Sequence, residues 1–148
     1  MNVILIAAIT MDGFIAKRSD EVTTWSKDLK LFKEQTMGHH IIMGSNTEKT
    51  LAVELKGRDK IVVHRNDDPK QILDSIKDDK CFVIGGGMTN SKFAPYLTHL
   101  YITPHPILFG NGIKLFADLK HDIQLELLSA VVANKSEKII QYQYKIIK

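Results

Sequence analysis

The run Cys81-Phe82-Val83-Ile84-Gly85-Gly86-Gly87 constrains this chain more than any other segment. Phe82, Val83 and Ile84 read as a central strand, because a strand covered on both faces is apolar throughout rather than alternating. Three glycines then let the backbone bend sharply and approach a ligand closely. Met88-Thr89-Asn90-Ser91-Lys92-Phe93 can start a helix, and free N–H groups at such a start can hold a phosphate. The pattern points to a nucleotide-like cofactor at the end of a sheet, with a bare tight turn as the alternative.

The rest of the chain supplies the sheet. Residues 3–9 suit a buried first strand, and residues 10–24, around Asp12-Gly13, read as a loop. Ser26 can cap a helix running to about Met37, with Leu29 and Phe32 inward and Gly38 at its stop. Residues 40–43 form a short strand, and Gly44-Ser45-Asn46-Thr47 opens another helix. Gly57 marks a turn before a strand over 60–64, and Pro69 starts a helix through about Ile76. The helix after the glycines ends near Pro95, and residues 97–103 form a further strand. Strands alternating with helices predict an α/β fold with a mostly parallel central sheet flanked by helices. Residues 123–133 and 136–147 read as two long strands joined at Asn134-Lys135, which adds an antiparallel C-terminal edge.

Composition narrows the function. A chain of 148 residues is expected to form one domain over 1–148. Its net charge of +3 is carried by lysines spread along the chain and mixed with acids. That pattern argues against a nucleic-acid face, which needs clustered basic residues. No apolar run is long enough to span a membrane, and Met1-Asn2-Val3-Ile4-Leu5-Ile6 lacks a basic leader and a cleavage site. The single Cys81 excludes an internal disulfide framework and reads as a core residue. A cytoplasmic protein is expected. His39 and His40, adjacent in a strand, would point to opposite faces, and no other histidines show ligand spacing, so no metal is expected.

Ordered blocks give a family likeness. Ile6-Ala7-Ala8-Ile9 with Ile15, Asp28-Leu29 with Phe32-Lys33 and Thr36, and Ile42-Met43-Gly44 with Thr47 follow one another at a set spacing. Gly57-Arg58, Lys60-Ile61-Val62-Val63, Ile84-Gly85-Gly86-Gly87 and Leu100-Tyr101-Ile102-Thr103 continue the series. In this order the blocks resemble dihydrofolate reductase over most of the chain up to Thr103. Met11-Asp12-Gly13-Phe14-Ile15-Ala16, the stretch from Pro104 to Gly112 and Leu115-Phe116 look more like the related reductase domain of riboflavin biosynthesis. Both families share a fold and a nicotinamide cofactor.

The resemblance implies NADPH-dependent reduction of 7,8-dihydrofolate to tetrahydrofolate, a step of one-carbon metabolism. The alternatives are reduction of a ribosylated diaminopyrimidine phosphate and nucleotide binding without catalysis. It implies Asp28 and Thr103 as catalytic residues. A carboxylate in an apolar pocket can hold the pterin amino group and ring nitrogen and manage a proton. Burial would raise the pKa of Asp28 and a helix N-terminus would lower it. It implies Ile6, Ala8, Phe32, Arg58 and Ile84 against the substrate, with Arg58 gripping the carboxylate of the glutamate tail. Toward the cofactor it implies Ala8, Ile15, Gly44, Ser45, Asn46, Thr47, His64, Arg65, Gly85, Gly86, Gly87, Met88 and Thr89. Ser45 stands where the family commonly has arginine for the ribose phosphate, which leaves NADH open, and Arg65 could supply that charge. Asn90 stands where an aromatic often lies against the nicotinamide, and Trp25 replaces a Leu-Pro-Trp motif in displaced form. The long C-terminal strands leave monomer and homodimer both open.

Overall fold

In this computed structural model, which describes residues 1–51 and 55–148, the chain runs β1 (Asn2–Thr10), β2 (Phe14–Ala16), α1 (Leu29–Thr36), β3 (His40–Gly44), α2 (Ser45–Thr50), β4 (Asp59–Val63), α3 (Pro69–Ser75), β5 (Lys80–Val83) and α4 (Gly87–Phe93). A 3₁₀ turn (Ala94–Tyr96) leads to β6 (His99–His105), then β7 (Ile113–Lys114), β8 (Gln124–Asn134) and β9 (Ile139–Ile147). The main sheet has the order β4-β3-β5-β1-β6-β9-β8. Its first five strands are parallel, β9 is antiparallel to β6, and β8 is antiparallel to β9. This is the expected α/β architecture, with a mostly parallel sheet and an antiparallel C-terminal edge. No helix among the described residues is long and apolar enough to cross a membrane.

Side-chain alternation fills both faces of the sheet. Val3 and Leu5 of β1 enter one apolar layer with Ile42, Cys81, Val83, Leu73 and Phe93. Ile4 and Ile6 enter the other with Ile41, Met43 and Phe82. Strands buried on both faces read as unbroken apolar runs, and these three were accordingly visible in the sequence. Cys81 is fully buried, and burial pushes its thiol up to about 12, as befits a core residue.

The structure corrects the sequence reading at several elements. Helix α1 starts at Leu29, with Asp28 rather than Ser26 in the N-cap position. Asp28, Phe32 and Thr36, four residues apart, form its inward face, so Leu29, expected inward, is 41% exposed. The stretch read as a loop over 10–24 contains β2, which pairs with β7. That small ribbon is secured by Asp12, whose carboxylate accepts hydrogen bonds from Thr10 Oγ1 (2.6 Å) and the N–H groups of Phe109 (3.1 Å) and Gly110 (2.7 Å). Strand β6 begins at His99 instead of Leu97, which is buried in the core, and β4 ends at Val63, leaving His64 just beyond it. The β8–β9 turn takes residues 135–138, so Ser136, Glu137 and Lys138 are not in a strand. Asn134 Oδ1 accepts from Ser136 Oγ and Glu137 N, and Lys138 turns through a left-handed φ of 58°. His39 lies outside β3 and donates its N–H to Thr36 O, so the opposite-face argument fails for it.

Candidate active site

Parallel strands leave a crevice outside their carboxyl ends, where ligands of such sheets bind. Here it is a cleft of about 840 Å³, within the range of small-molecule and cofactor sites. β1 contributes Ile6 and Ala8 to it, β2 contributes Ile15, and Gly44 stands at the end of β3. Ser45, Asn46 and Thr47 open α2, while His64 and Arg65 follow β4. Ile84, Gly85 and Gly86 follow β5, and Gly87, Met88 and Thr89 open α4. Asp28 and Phe32 complete the lining from α1. Two expected site residues, Thr103 and Arg58, are not among the residues that line the cleft.

Thr103 is fully buried on β6, in register with Ala8. Its hydroxyl is turned toward Asp28 yet has no hydrogen-bond partner within bonding distance among the described residues. Arg58 sits after the Gly57 turn, donates from Nη1 to Thr36 Oγ1 at 3.3 Å, and lies 5.9 Å from the centre of the Phe32 ring. It thus stands beside Phe32, which lines the cleft.

Asp28 is 7% exposed. As the N-cap residue its side chain makes no capping bond, so the carboxylate remains available. Burial pushes its pKa up, against the smaller opposing pull of its own backbone N–H. The competition left open by the sequence is therefore won by desolvation. A carboxylate of raised basicity, beside an unpartnered hydroxyl and at the edge of an apolar cleft, can bind an amino group and a ring N–H together.

The glycine segment forms a bare floor opposite. Gly85 takes φ +122°, open to glycine alone, and the Gly85–Gly86 peptide is cis. Gly85 O accepts from Gly44 N at 2.9 Å, which ties the floor to β3. A Cβ built on Gly86 would meet only Thr47 Oγ1, at 3.5 Å. One on Gly87 would lie 2.7 Å from the backbone oxygen of Lys114. Gly87→Ala is accordingly expected to destabilise the protein by about 1–3 kcal/mol, an overpacking cost that urea unfolding would register.

Further groups complete the cleft. Asn90 is 1% exposed; its Nδ2 donates to Leu115 O at 2.8 Å, which orients the amide and leaves Oδ1 as an unpartnered acceptor. Lys92 Nζ donates to His64 O and Arg65 O at 2.9 and 2.8 Å, fixing the turn after β4. Arg18, Arg65, Lys92 and Lys120 make the rim cationic, with Glu21 and Asp118 among them. The bare floor, the orphaned Asn90 oxygen and the cationic rim fit a nicotinamide dinucleotide carrying phosphates.

Sequence reasoning missed part of this wall. Lys92, Ile113 and Lys120 come from segments that only the tertiary pairing of β2 with β7 and the packing of α4 bring to the cleft. His105 was also missed, although Thr103-Pro104-His105 on a strand puts the two polar side chains on one face. Away from the cleft, His39, Asp78 and Asp79 each bring one ligand atom within 4.8 Å of the others. His39 Nδ1 and Asp78 are hydrogen-bonded at 2.8 Å, and that bond leads the effects that hold the Asp78 carboxyl at about 2.

Residues 2–107 match the model of the protein family described as dihydrofolate reductase. A dihydrofolate reductase of Bacillus subtilis is 33% identical over 145 residues, covering 90% of this chain and 85% of that protein. Dihydrofolate reductase type 3 of Salmonella typhimurium is 29% identical over 117 residues, 70% of this chain and 71% of that one. Among solved structures, dihydrofolate reductase from Enterococcus faecalis, complexed with NADP(H) and RAB-propyl, superposes with a TM-score of 0.79 at 22% identity, covering 99% of this chain and 97% of the other. A structure from Shewanella sp. PV-4, described as a candidate riboflavin biosynthesis protein, superposes with a TM-score of 0.64 at 18% identity over the full length of both.

Proposed function

The chain belongs to the dihydrofolate reductase family, and from that membership and the geometry of the cleft we infer that it reduces 7,8-dihydrofolate to 5,6,7,8-tetrahydrofolate with NADPH. The observation that carries this reading is Asp28: a buried carboxylate of raised basicity on the cleft wall, beside the unpartnered hydroxyl of Thr103. When bound, NADPH supplies the hydride. The protein's own groups do the rest. Asp28 binds the pterin amino group and ring nitrogen and supports protonation of the ring neighbour of the carbon that receives the hydride. Thr103 completes the hydrogen bonding at that carboxylate. Ile6, Ala8, Phe32 and Ile84 form apolar walls for the flat ring and exclude water.

On the opposite side, Gly44 to Thr47 and Gly85 to Thr89 hold the dinucleotide, with Ile15 above it and His64 and Arg65 toward the ribose phosphate. Arg65 offers the positive charge that Ser45 does not, which favours NADPH over NADH. Arg58 takes the carboxylate of the glutamate tail as a planar pair of hydrogen bonds. Arg58→Lys is expected to raise KM for dihydrofolate about tenfold, roughly 1.4 kcal/mol, with kcat within twofold, because it weakens binding equally in ground and transition states. Steady-state kinetics at saturating NADPH separates the two constants.

The decisive experiment follows NADPH oxidation by the purified protein with dihydrofolate and, separately, with the ribosylated diaminopyrimidine phosphate. Oxidation with dihydrofolate supports this reading, and oxidation with the pyrimidine alone overturns it. The reading takes residues 1–148 as one catalytic domain acting in the cytoplasm on a small-molecule substrate. Strand β8 leaves Leu125, Leu127, Leu128 and Val132 exposed, a surface compatible with a monomer or a homodimer, and light scattering distinguishes them.

A further inference from the structure

His105 is an imidazole at 2% exposure, and both of its ring nitrogens are bonded to backbone. Nδ1 lies 2.8 Å from Thr103 O, a carbonyl that can only accept, so Nδ1 carries a proton. Nε2 lies 2.9 Å from Lys27 N, a backbone N–H that can only donate, so Nε2 carries none. The two bonds together define one neutral tautomer. Trp25 packs edge-on against the ring, with centroids 5.2 Å apart, and closes that side.

Lys27 immediately precedes Asp28. Its N–H is held by His105 from β6, and its carbonyl accepts from Asn134 Nδ2 of β8 at 2.9 Å. Both peptide groups flanking Lys27 are thus fixed by side chains of the sheet. The Asp28 side chain adds no capping bond of its own to this anchoring. A helix start defined from outside, not by its own cap, transmits any shift of the Lys27 peptide directly to the carboxylate.

We propose that His105 is a positioning residue for Asp28: its bare Nε2, gripping the Lys27 N–H, sets where the carboxylate stands in the cleft. The inference rests on the reading of Asp28 as the pterin-binding group. A displacement of about 1 Å in such a group can cost on the order of 100-fold in rate.

Two conservative variants separate the bonds. His105→Gln can place an acceptor near the Nε2 position and keep Lys27, whereas His105→Asn reaches only the Nδ1 position and keeps Thr103. His105→Asn is expected to lower kcat/KM for dihydrofolate at least about tenfold, with NADPH affinity within twofold of wild type. His105→Gln is expected to stay within about threefold of wild type. Equal losses in both variants or a parallel loss of NADPH affinity, the patterns of a merely structural role, overturn the proposal, and so does the absence of any loss in His105→Asn.

A measurement on the wild-type protein is independent of turnover. Long-range ¹H–¹⁵N spectra at pH 7 are expected to show the His105 proton on Nδ1 and none on Nε2, and a proton on Nε2 overturns the proposal. Absence of dihydrofolate turnover in the wild type would instead count against the reading of the site, with the tautomer still deciding whether the Lys27 grip exists.

Discussion

Replacing Asp28 with asparagine is expected to lower kcat/KM for dihydrofolate by about 10²–10⁴-fold and, at the same time, to raise the melting temperature by a few degrees at pH 7. Asparagine has nearly the shape of aspartate, so the cleft stays intact and NADPH affinity should remain within twofold. What is lost is a negative charge and one acceptor oxygen where an amino group and a ring N–H must be bound together. The stability gain follows from the direction of the pKa shift. Burial raises the folded-state pKa of Asp28 above its ordinary value of 3.8. The folded protein therefore holds the proton more tightly than the unfolded chain, and the ionised carboxylate costs stability at any pH above the folded value. That cost falls as pH drops through the folded pKa and is gone below 3.8. The stability advantage of Asp28→Asn should accordingly be largest near neutrality and vanish in acid. Thermal melts at several pH values, paired with steady-state kinetics, test both halves. Full turnover by the folded variant would remove Asp28 from the chemistry. A lower melting temperature at pH 7 would show that hydrogen bonds to the carboxylate outweigh its desolvation.

The same residue shows where sequence reading stops. The strands of the central sheet were legible because Val3 to Ile6, Ile41 to Met43 and Cys81 to Val83 are buried on both faces and carry no polar interruption. The position of Asp28 one helical turn before Phe32 was legible from spacing alone, and both line the cleft. Which effect dominates the carboxylate was not, because burial depends on β6 and the chain before α1 closing around it. The small ribbon of β2 and β7 escaped notice for a related reason. Its strands are three and two residues long, too short for an alternating pattern, and it is held by Asp12 gripping backbone N–H groups almost a hundred positions away. His105 shares a strand face with Thr103 by simple alternation, but what its ring bonds escaped, because its partners, the Thr103 carbonyl and the Lys27 N–H, are placed around it only by the fold. The misjudged β8–β9 turn belongs with these. Asn134 was read as a turn residue, but its side chain caps the turn through Glu137 N and spans to Lys27 O as well, and neither bond is visible as periodicity.

The glycine floor yields the other large effect. Gly86→Ala is expected to weaken NADPH binding by about 100-fold, roughly 2.8 kcal/mol, without loss of stability. Gly86 has φ −84°, which alanine also adopts. Its added Cβ would meet only Thr47 Oγ1, at an ordinary contact distance of 3.5 Å. Removing glycine's freedom from the unfolded chain should even stabilise the fold by about 0.4–1 kcal/mol. On the proposed placement of the cofactor, the methyl group would instead stand where a phosphate approaches the backbone, and it would hold the cofactor away. Dihydrofolate binding, centred on Asp28, should change little. The neighbouring Gly87→Ala should behave in the opposite way, since its Cβ meets the Lys114 carbonyl of the protein itself and not the cleft. Fluorescence titration with NADPH and thermal melts on both variants therefore give a crossed pattern, affinity lost at one glycine and stability lost at the next. Tight NADPH binding by Gly86→Ala would mean that the cofactor does not lie on this floor, and the assignment of Gly85 to Gly87 would fall with it.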